Sequence, residues 1–260
     1  MPAECACFPV TRSIHVLAPR RATVALSRLP PSKPSAQSLR VTGKQAHSAG
    51  IFGESTGYGA MFEAARILDE FRRALAGRPN LTFNPAVEVG GTDVTFDSAH
   101  VAGTAGGKSN IVARSVVVPG DLRFLSEGQK DSARTTMREI VARSLPGTTA
   151  TISFQDEYPA MSPTPGNHRA LGVYDAVSRS LGYGPVEALD PGRRGAGDIS
   201  FVAPIVDGLD GLGALGAGAH SPDERVDLPA LRMQTERAAL LIHRLSRERA
   251  GTGRTTTAQR

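Results

Sequence analysis

Tryptophan is absent from this chain of 260 residues, and phenylalanine and tyrosine together make up only 5% of it. Base stacking on aromatic side chains has little to build on, so no nucleic-acid partner is expected. Cysteine is almost absent: Cys5 and Cys7 are the only two. They stand too close together for an unstrained disulfide. The body of the chain therefore carries no cysteine, and cysteine usage leaves the redox compartment open. Long apolar runs are missing as well. No stretch approaches the roughly 20 residues that a membrane span needs, so no membrane partner is expected. The N-terminus lacks a basic segment followed by a continuous apolar one, which argues against a secretory signal. It is rich in Arg, Ser and Ala with a single acid, Glu4, a composition like that of a transit peptide. Pro19, Pro30, Pro31 and Pro34 nevertheless interrupt any amphipathic helix there. A cytoplasmic location is the expectation.

The apolar share of 40% is slightly low but sufficient for a core. The length accommodates one large domain or two of ordinary size. The net charge of +5 is thinly spread and lies largely at the two ends, which fits solvated tails rather than a nucleic-acid surface.

Residues 1–38 show no sustained periodicity and read as disorder or as sequence foreign to the fold behind them. A strand is expected over residues 39–47. A helix follows over 60–76, with Ala64, Ile67, Leu68, Phe71 and Leu75 on one face of a 3.6-residue period. Residues 81–89 form a second strand pattern closed by Gly90 and Gly91. A glycine-rich loop is expected over 103–107. The β-branched run 111–118 is strand-like, interrupted by Pro119 and Gly120 and resumed at Asp121. Ser126 and Gln129 have capping-box spacing. The helix after them carries Ala133, Met137, Ile140 and Val141 on one face, and a strand is expected over 149–154. The resulting order, β-α-β-β-α-β, fits a ferredoxin-like α+β domain. Beyond Tyr158 three prolines make an extended linker. Asn167 is the expected N-cap of a helix carrying Leu171, Tyr174, Val177 and Leu181. Pro229 opens a last helix with Leu231, Ala238, Leu241, Ile242 and Leu245 expected inward. Residues 248–260 form a basic tail.

The run from Ala102 to Ser109, Ala-Gly-Thr-Ala-Gly-Gly-Lys-Ser, departs from a phosphate-binding loop only in its first glycine. That loop needs a helix directly after its Lys-Ser, so that amides and helix dipole meet the phosphate. A β-branched run follows instead, which argues against nucleotide binding. His47, among small residues, is either a plain surface histidine or a positioned donor to a developing oxyanion. His220, in a Gly-Ala-rich segment with Asp223 and Glu224 nearby, suits ligand or acid–base chemistry as readily as an idle loop. Asn110 and Arg123, at opposite ends of one strand region, could grip a carboxylate; an outward-facing arginine is the plain alternative. Asp198, after the Gly195-Ala196-Gly197 run, either caps a helix or shapes a substrate loop.

Taken in order, these fragments are more specific than any one of them. Gly43, Lys44, His47, Ser48, Ala49 and Gly50, then Gly107 to Asn110, then Asp121 to Arg123, then Gly195, Gly197 and Asp198, then Gly218, His220, Ser221 and Glu224 resemble the second part of the di-zinc amidohydrolases of peptidase family M-twenty. The likeness extends over residues 39–247 and leans toward the glutamate carboxypeptidase-like branch. It implies a zinc-binding catalytic domain with a ferredoxin-like dimerisation domain inserted in it. Residues 39–156 correspond to that insert and 157–247 to the C-terminal part of the catalytic domain, leaving an incomplete α/β zinc-hydrolase domain. By the same likeness His47 reaches the partner subunit's active site and stabilises the oxyanion. Asn110 and Arg123 hold the substrate's carboxylate, Gly197 and Asp198 belong to the substrate loop, and His220 is the last zinc ligand. The family's other ligands and its general base lie upstream of the insert, and no counterparts occur here. Catalytic zinc needs about three protein ligands and a base within reach of its water. The expectation is therefore a truncated metallopeptidase or amidohydrolase, inactive alone, that does not retain zinc by itself. Its full-length relatives would act on an amide or peptide bearing a free carboxylate. The alternative is a non-catalytic dimerisation module that pairs with itself, as a homodimer, or with an intact paralogue, as a heterodimer.

Overall fold

A computed structural model describes residues 35–191, 197–218 and 221–252. The expectation of disorder for 1–38 therefore lies outside the described residues except at its end, where Ser35 already opens the first strand. The described residues fall into two units that divide between Ser162 and Pro163.

The first unit runs β1 (Ser35–Gly43), α1 (Gly59–Leu75), β2 (Thr82–Pro85), β3 (Val89–Gly91), β4 (Asp93–Asp97), β5 (Ala102–Gly106), β6 (Ser115–Arg123), α2 (Glu127–Val141) and β7 (Thr148–Asp156). Its sheet has the order β2-β6-β1-β7, with β3 also on β6. Every pairing is antiparallel. Alternation decides which face is apolar: Leu39 and Val41 of β1, with Val116, Val118 and Leu122 of β6, enter the core, while Arg40 and Thr42 stay exposed. Onto that face α1 lays Ala60, Ala64, Ile67, Phe71 and Leu75, and α2 lays Ala133, Met137, Ile140 and Val141. Burial of each larger side chain contributes about 1.5–3 kcal/mol. Phe71 meets Phe83 edge to face at 5.5 Å between ring centres.

Ser126 caps α2 as its spacing predicts, accepting from the Gln129 amide at 3.2 Å. The Gln129 side chain returns to the amide of Leu125 rather than to that of Ser126. Three expectations are corrected. The run 102–106 is not a loop but strand β5, in a hairpin with β4. β1 ends at Gly43 rather than running to His47. Strand β6 also passes straight through Pro119 and Gly120. It can do so because β2 ends opposite Gly120 and β3 starts opposite Val117, leaving Pro119 in the gap between two partner strands, where its missing N–H is tolerated. Glycine suits the next position, because a Cβ there would stand 2.8 Å from the Gln37 amide nitrogen and 2.9 Å from the Asn84 carbonyl oxygen.

The second unit holds α3 (Pro165–Ser180), a 3-10 turn at Asp198–Phe201, the short pair β8 (Gly216–Ala217) and β9 (Arg225–Val226), and α4 (Leu228–Thr252). Thr164, not Asn167, caps α3: its hydroxyl oxygen accepts the Asn167 amide at 3.0 Å. The apolar core is small, built on Tyr174, Val177, Val186 and Leu241. Beside it the Tyr174 hydroxyl donates to Gln234 at 2.8 Å. The fully buried Arg237 donates to Gln234 and to Ser178 at 3.1 and 2.8 Å, with its guanidinium over the rings of Tyr174 and Tyr183. Burial raises the Tyr174 phenol above its ordinary pKa. This seam changes the expected orientation of α4. Gln234 and Arg237 turn inward beside Leu241, which was expected there, whereas Leu231, Ile242 and Leu245, also expected inward, are exposed. The inward stripe wins because its polar groups find partners across the seam. No described helix is long and apolar enough to cross a membrane.

Candidate functional site

The first unit places His47 at the end of a short ladder. Beyond β1, residues 43–48 run against residues 110–114: the Gly43 amide donates to the Arg114 carbonyl at 2.9 Å, Val112 to Ala46 at 2.9 Å and Ser48 to Asn110 at 2.9 Å. His47 is bridged to Ile111 and caps the 3-10 turn Ser48–Gly50. The Ala49 amide donates to His47 Nδ1 at 3.2 Å. An amide can only donate, so Nδ1 is the accepting nitrogen and the neutral ring carries its proton on Nε2. The imidazole is exposed. It thus presents an N–H donor on a turn fixed from both sides, which suits hydrogen bonding to an oxygen that gains negative charge.

His47 and Asn110 are brought together by this ladder; Arg123 is not. Arg123 lies at the far end of β6, opposite Thr82, and β6 alone spans about 27 Å at the usual rise per residue. Its Nε donates to Asp121 at 2.7 Å, and it faces outward, half exposed. Arg114, at the other end of the 110–114 segment, turns to β3 and β4 instead: its Nε donates to the Thr92 carbonyl at 2.7 Å. Sequence reasoning passed over Phe52, in the turn after His47, which adopts a left-handed φ of 70° and keeps its ring exposed against Phe62 and Tyr58. Nothing in the sequence marks Phe52 for that conformation.

In the second unit Gly197, not Asp198, occupies the cap position of the turn Asp198–Phe201. A Cβ at Gly197 would stand 2.2 Å from Asp210 Oδ2, so the glycine lets that carboxylate close on the backbone. His220 lies outside the described residues. Of its described neighbours, Ser221 donates to the Gly218 carbonyl through its amide and its hydroxyl, and β8 pairs with β9. Among the described residues no three His, Cys, Asp or Glu side chains gather where one metal ion could bind. These residues do not fit a catalytic zinc site, which needs about three protein ligands.

Comparison with known proteins adds the following. The model of peptidase family M20/M25/M40 matches residues 29–244. No curated protein matches the chain. Among solved structures, aminopeptidase PepT from Bacillus cereus is 18% identical with a TM-score of 0.60, over 80% of this chain and 50% of its own. A tripeptidase from Staphylococcus aureus is 18% identical with a TM-score of 0.60, over 82% of this chain and 52% of its own. The YXEP protein of Bacillus subtilis, a dinuclear metal-binding peptidase, is 16% identical with a TM-score of 0.52, over 80% of this chain and 48% of its own. The chain spans about half the length of the solved relatives it matches.

Proposed function

Since the chain belongs to peptidase family M20/M25/M40, we propose that it supplies the subunit-pairing and substrate-contacting part of a metal-dependent peptidase or amidohydrolase and is not a complete catalyst by itself. The family match over residues 29–244 carries the hydrolase part of this reading; the want of a gathered donor set among the described residues is what supports the non-catalytic part. The sheet unit is taken as a ferredoxin-like dimerisation domain, and the residues beyond it as the C-terminal part of the catalytic domain. The substrate class is an amide or peptide next to a free carboxylate, in the manner of the glutamate carboxypeptidase-like branch.

Within that reading, His47 is the donor to the tetrahedral oxyanion, and its Nε2 proton supports the role. Asn110 lies beside it as a carboxylate contact. Arg123 contributes to the same substrate only by a route other than proximity to His47. Gly197 and Asp198 form the substrate loop, and His220 is the zinc ligand contributed by this part of the fold. Pairing, with itself or with an intact paralogue, runs through β7. That strand pairs with no other strand than β1 among the described residues, has nine residues without proline or lysine, and so offers an open edge. Incubation of the purified chain with zinc and a panel of dipeptides and N-acyl amino acids tests the reading. The expected result is no turnover above buffer. Metal-dependent turnover that a chelator abolishes would overturn the non-catalytic assignment.

A further inference from the structure

Glu63 is a carboxylate with no exposed surface, set into the buried face of α1. Packing alone asks for an apolar residue there, because Ala60, Ala64 and Ile67 surround it on the same face. Its two oxygens accept from Arg66 at 2.7 and 3.0 Å, and one of them also accepts the Leu145 amide at 3.1 Å. Arg66 in turn donates to the carbonyls of Ile140 and Arg143. The pair therefore grips the end of α2 and the turn that leads from it into β7. Thr148 closes that turn by donating to the Leu145 carbonyl through its amide and hydroxyl, at 3.1 and 2.7 Å.

The gripped turn is the support of the histidine loop. The Tyr58 amide donates to the Pro146 carbonyl at 3.1 Å. Gly57 and Gly147 both have φ above +70°. A Cβ on Gly57 would stand 2.0 Å from the Pro146 oxygen, and one on Gly147 would stand 2.6 Å from the Thr56 oxygen. From Gly57 the contacts continue inward. Gly57 accepts the Phe52 amide at 2.8 Å and donates to Gly53 at 2.8 Å; Gly53 donates to Gly50 at 3.1 Å, and Gly50 to His47 at 2.9 Å. A series of direct contacts thus links the buried carboxylate to the backbone of His47, whose ring is held in turn by the amide of Ala49.

We propose that Glu63 is a positioning residue for His47, acting through the 145–148 turn to hold the loop that orients the imidazole. The inference rests on the reading of His47 as the group that meets substrate. Its test reads the imidazole itself, so the coupling stands or falls whether or not the chain takes part in hydrolysis.

The test is nitrogen NMR of the full chain with its six histidines isotopically labelled, the His47 signals being identified by their loss in His47→Gln. At a pH where the ring is neutral, the parent is expected to show well-separated accepting and N–H-bearing ring nitrogens. In Glu63→Ala the separation collapses toward a common value, as the fixed tautomer gives way to exchange. Glu63→Gln, whose carbonyl still accepts the Leu145 amide, restores most of it. Asp69→Asn removes the partner of Arg72 and Arg73 on the exposed side of the same helix and leaves it unchanged. A folded Glu63→Ala with parent-like His47 signals would overturn the proposal, because a purely structural clamp would lower stability without touching the tautomer. Should Glu63→Ala fail to fold, Thr148→Val keeps the side-chain shape and removes only the hydroxyl bond to Leu145. Partial collapse in that variant supports the coupling, and parent-like signals refute it.

Discussion

Phe71→Ala probes whether the sheet and its two helices share one core. Phe71 is fully buried in α1, at the centre of the cluster that unites β1, β6, α1 and α2, and its ring meets Phe83 edge to face. Truncation to alanine removes a whole aromatic ring from a close-packed site. The expected loss is about 3–5 kcal/mol, the range for buried Phe→Ala with incomplete collapse of the cavity. Against a total of about 5–15 kcal/mol for a domain of ordinary stability, that is roughly a fifth or more of the whole. For a unit of this size each kcal/mol lowers the midpoint by about 3–5 °C, so a fall on the order of 10–20 °C is expected. Hydrogen exchange read peptide by peptide is the suitable assay because it separates the two units. Protection in β1, β6 and α1 should fall together, while that of α3 and the Gln234–Arg237–Leu241 stripe of α4 stays near the parent value. A loss below about 1 kcal/mol, the ordinary effect of a non-core substitution, would refute the assignment of Phe71 to the shared core. An equal loss in α3 and α4 would refute the division into two units.

Acid should weaken the first unit through Asp156 and Glu127. The Arg134 guanidinium, with help from Lys130, holds the Asp156 carboxyl below its ordinary range, and Lys130 does the same for Glu127. A carboxylate whose folded pKa is depressed contributes stability that is present above its unfolded pKa and lost as pH falls through the folded one. The urea midpoint should therefore drop below about pH 5. Because Asp156 is largely exposed, its share is only about 0–1 kcal/mol; Asp156→Asn should flatten the acid limb slightly, and an unchanged limb would count against the assignment. Ile242 is 67% exposed, so Ile242→Lys should change stability by no more than about 0.5 kcal/mol, read from the urea midpoint. A larger loss would mean that this face of α4 is covered in solution. Limited proteolysis should leave a resistant fragment near residues 35–162, and equal survival of the remainder would argue against the smaller core assigned to the second unit.

The helix faces were legible because α1 and α2 obey one period: Ile67, Phe71, Met137 and Ile140 are apolar and buried, with nothing competing for those positions. β7 was placed to within a few residues, whereas β1 was set four residues too late at each end. The failures have specific causes. Gly103 and Gly106 look like loop glycines, yet they lie in β5, where a Cβ at Gly103 would stand 2.6 Å from the Thr95 oxygen of β4, and pairing across a hairpin leaves no mark on a single strand. Pro119 reads as a break until two short partners, β2 and β3, are seen to leave a gap beside it. In α4 apolar residues occupy two stripes, and the sequence gives no reason to prefer the one holding Gln234 and Arg237. The partners that settle it, Ser178 and Tyr174, lie more than fifty residues away. At the candidate site, His47 and Asn110 were marked by local motifs. Glu63 matters through contacts across the fold, which local spacing does not encode.

Zinc bound per purified chain, measured by elemental analysis after exchange into metal-free buffer, tests the central claim most directly. The account predicts well below one zinc per chain, because the described residues bring no adequate set of donors together. Tightly held zinc near one or two ions per chain would contradict it and would make this chain a metal-loaded hydrolase in its own right.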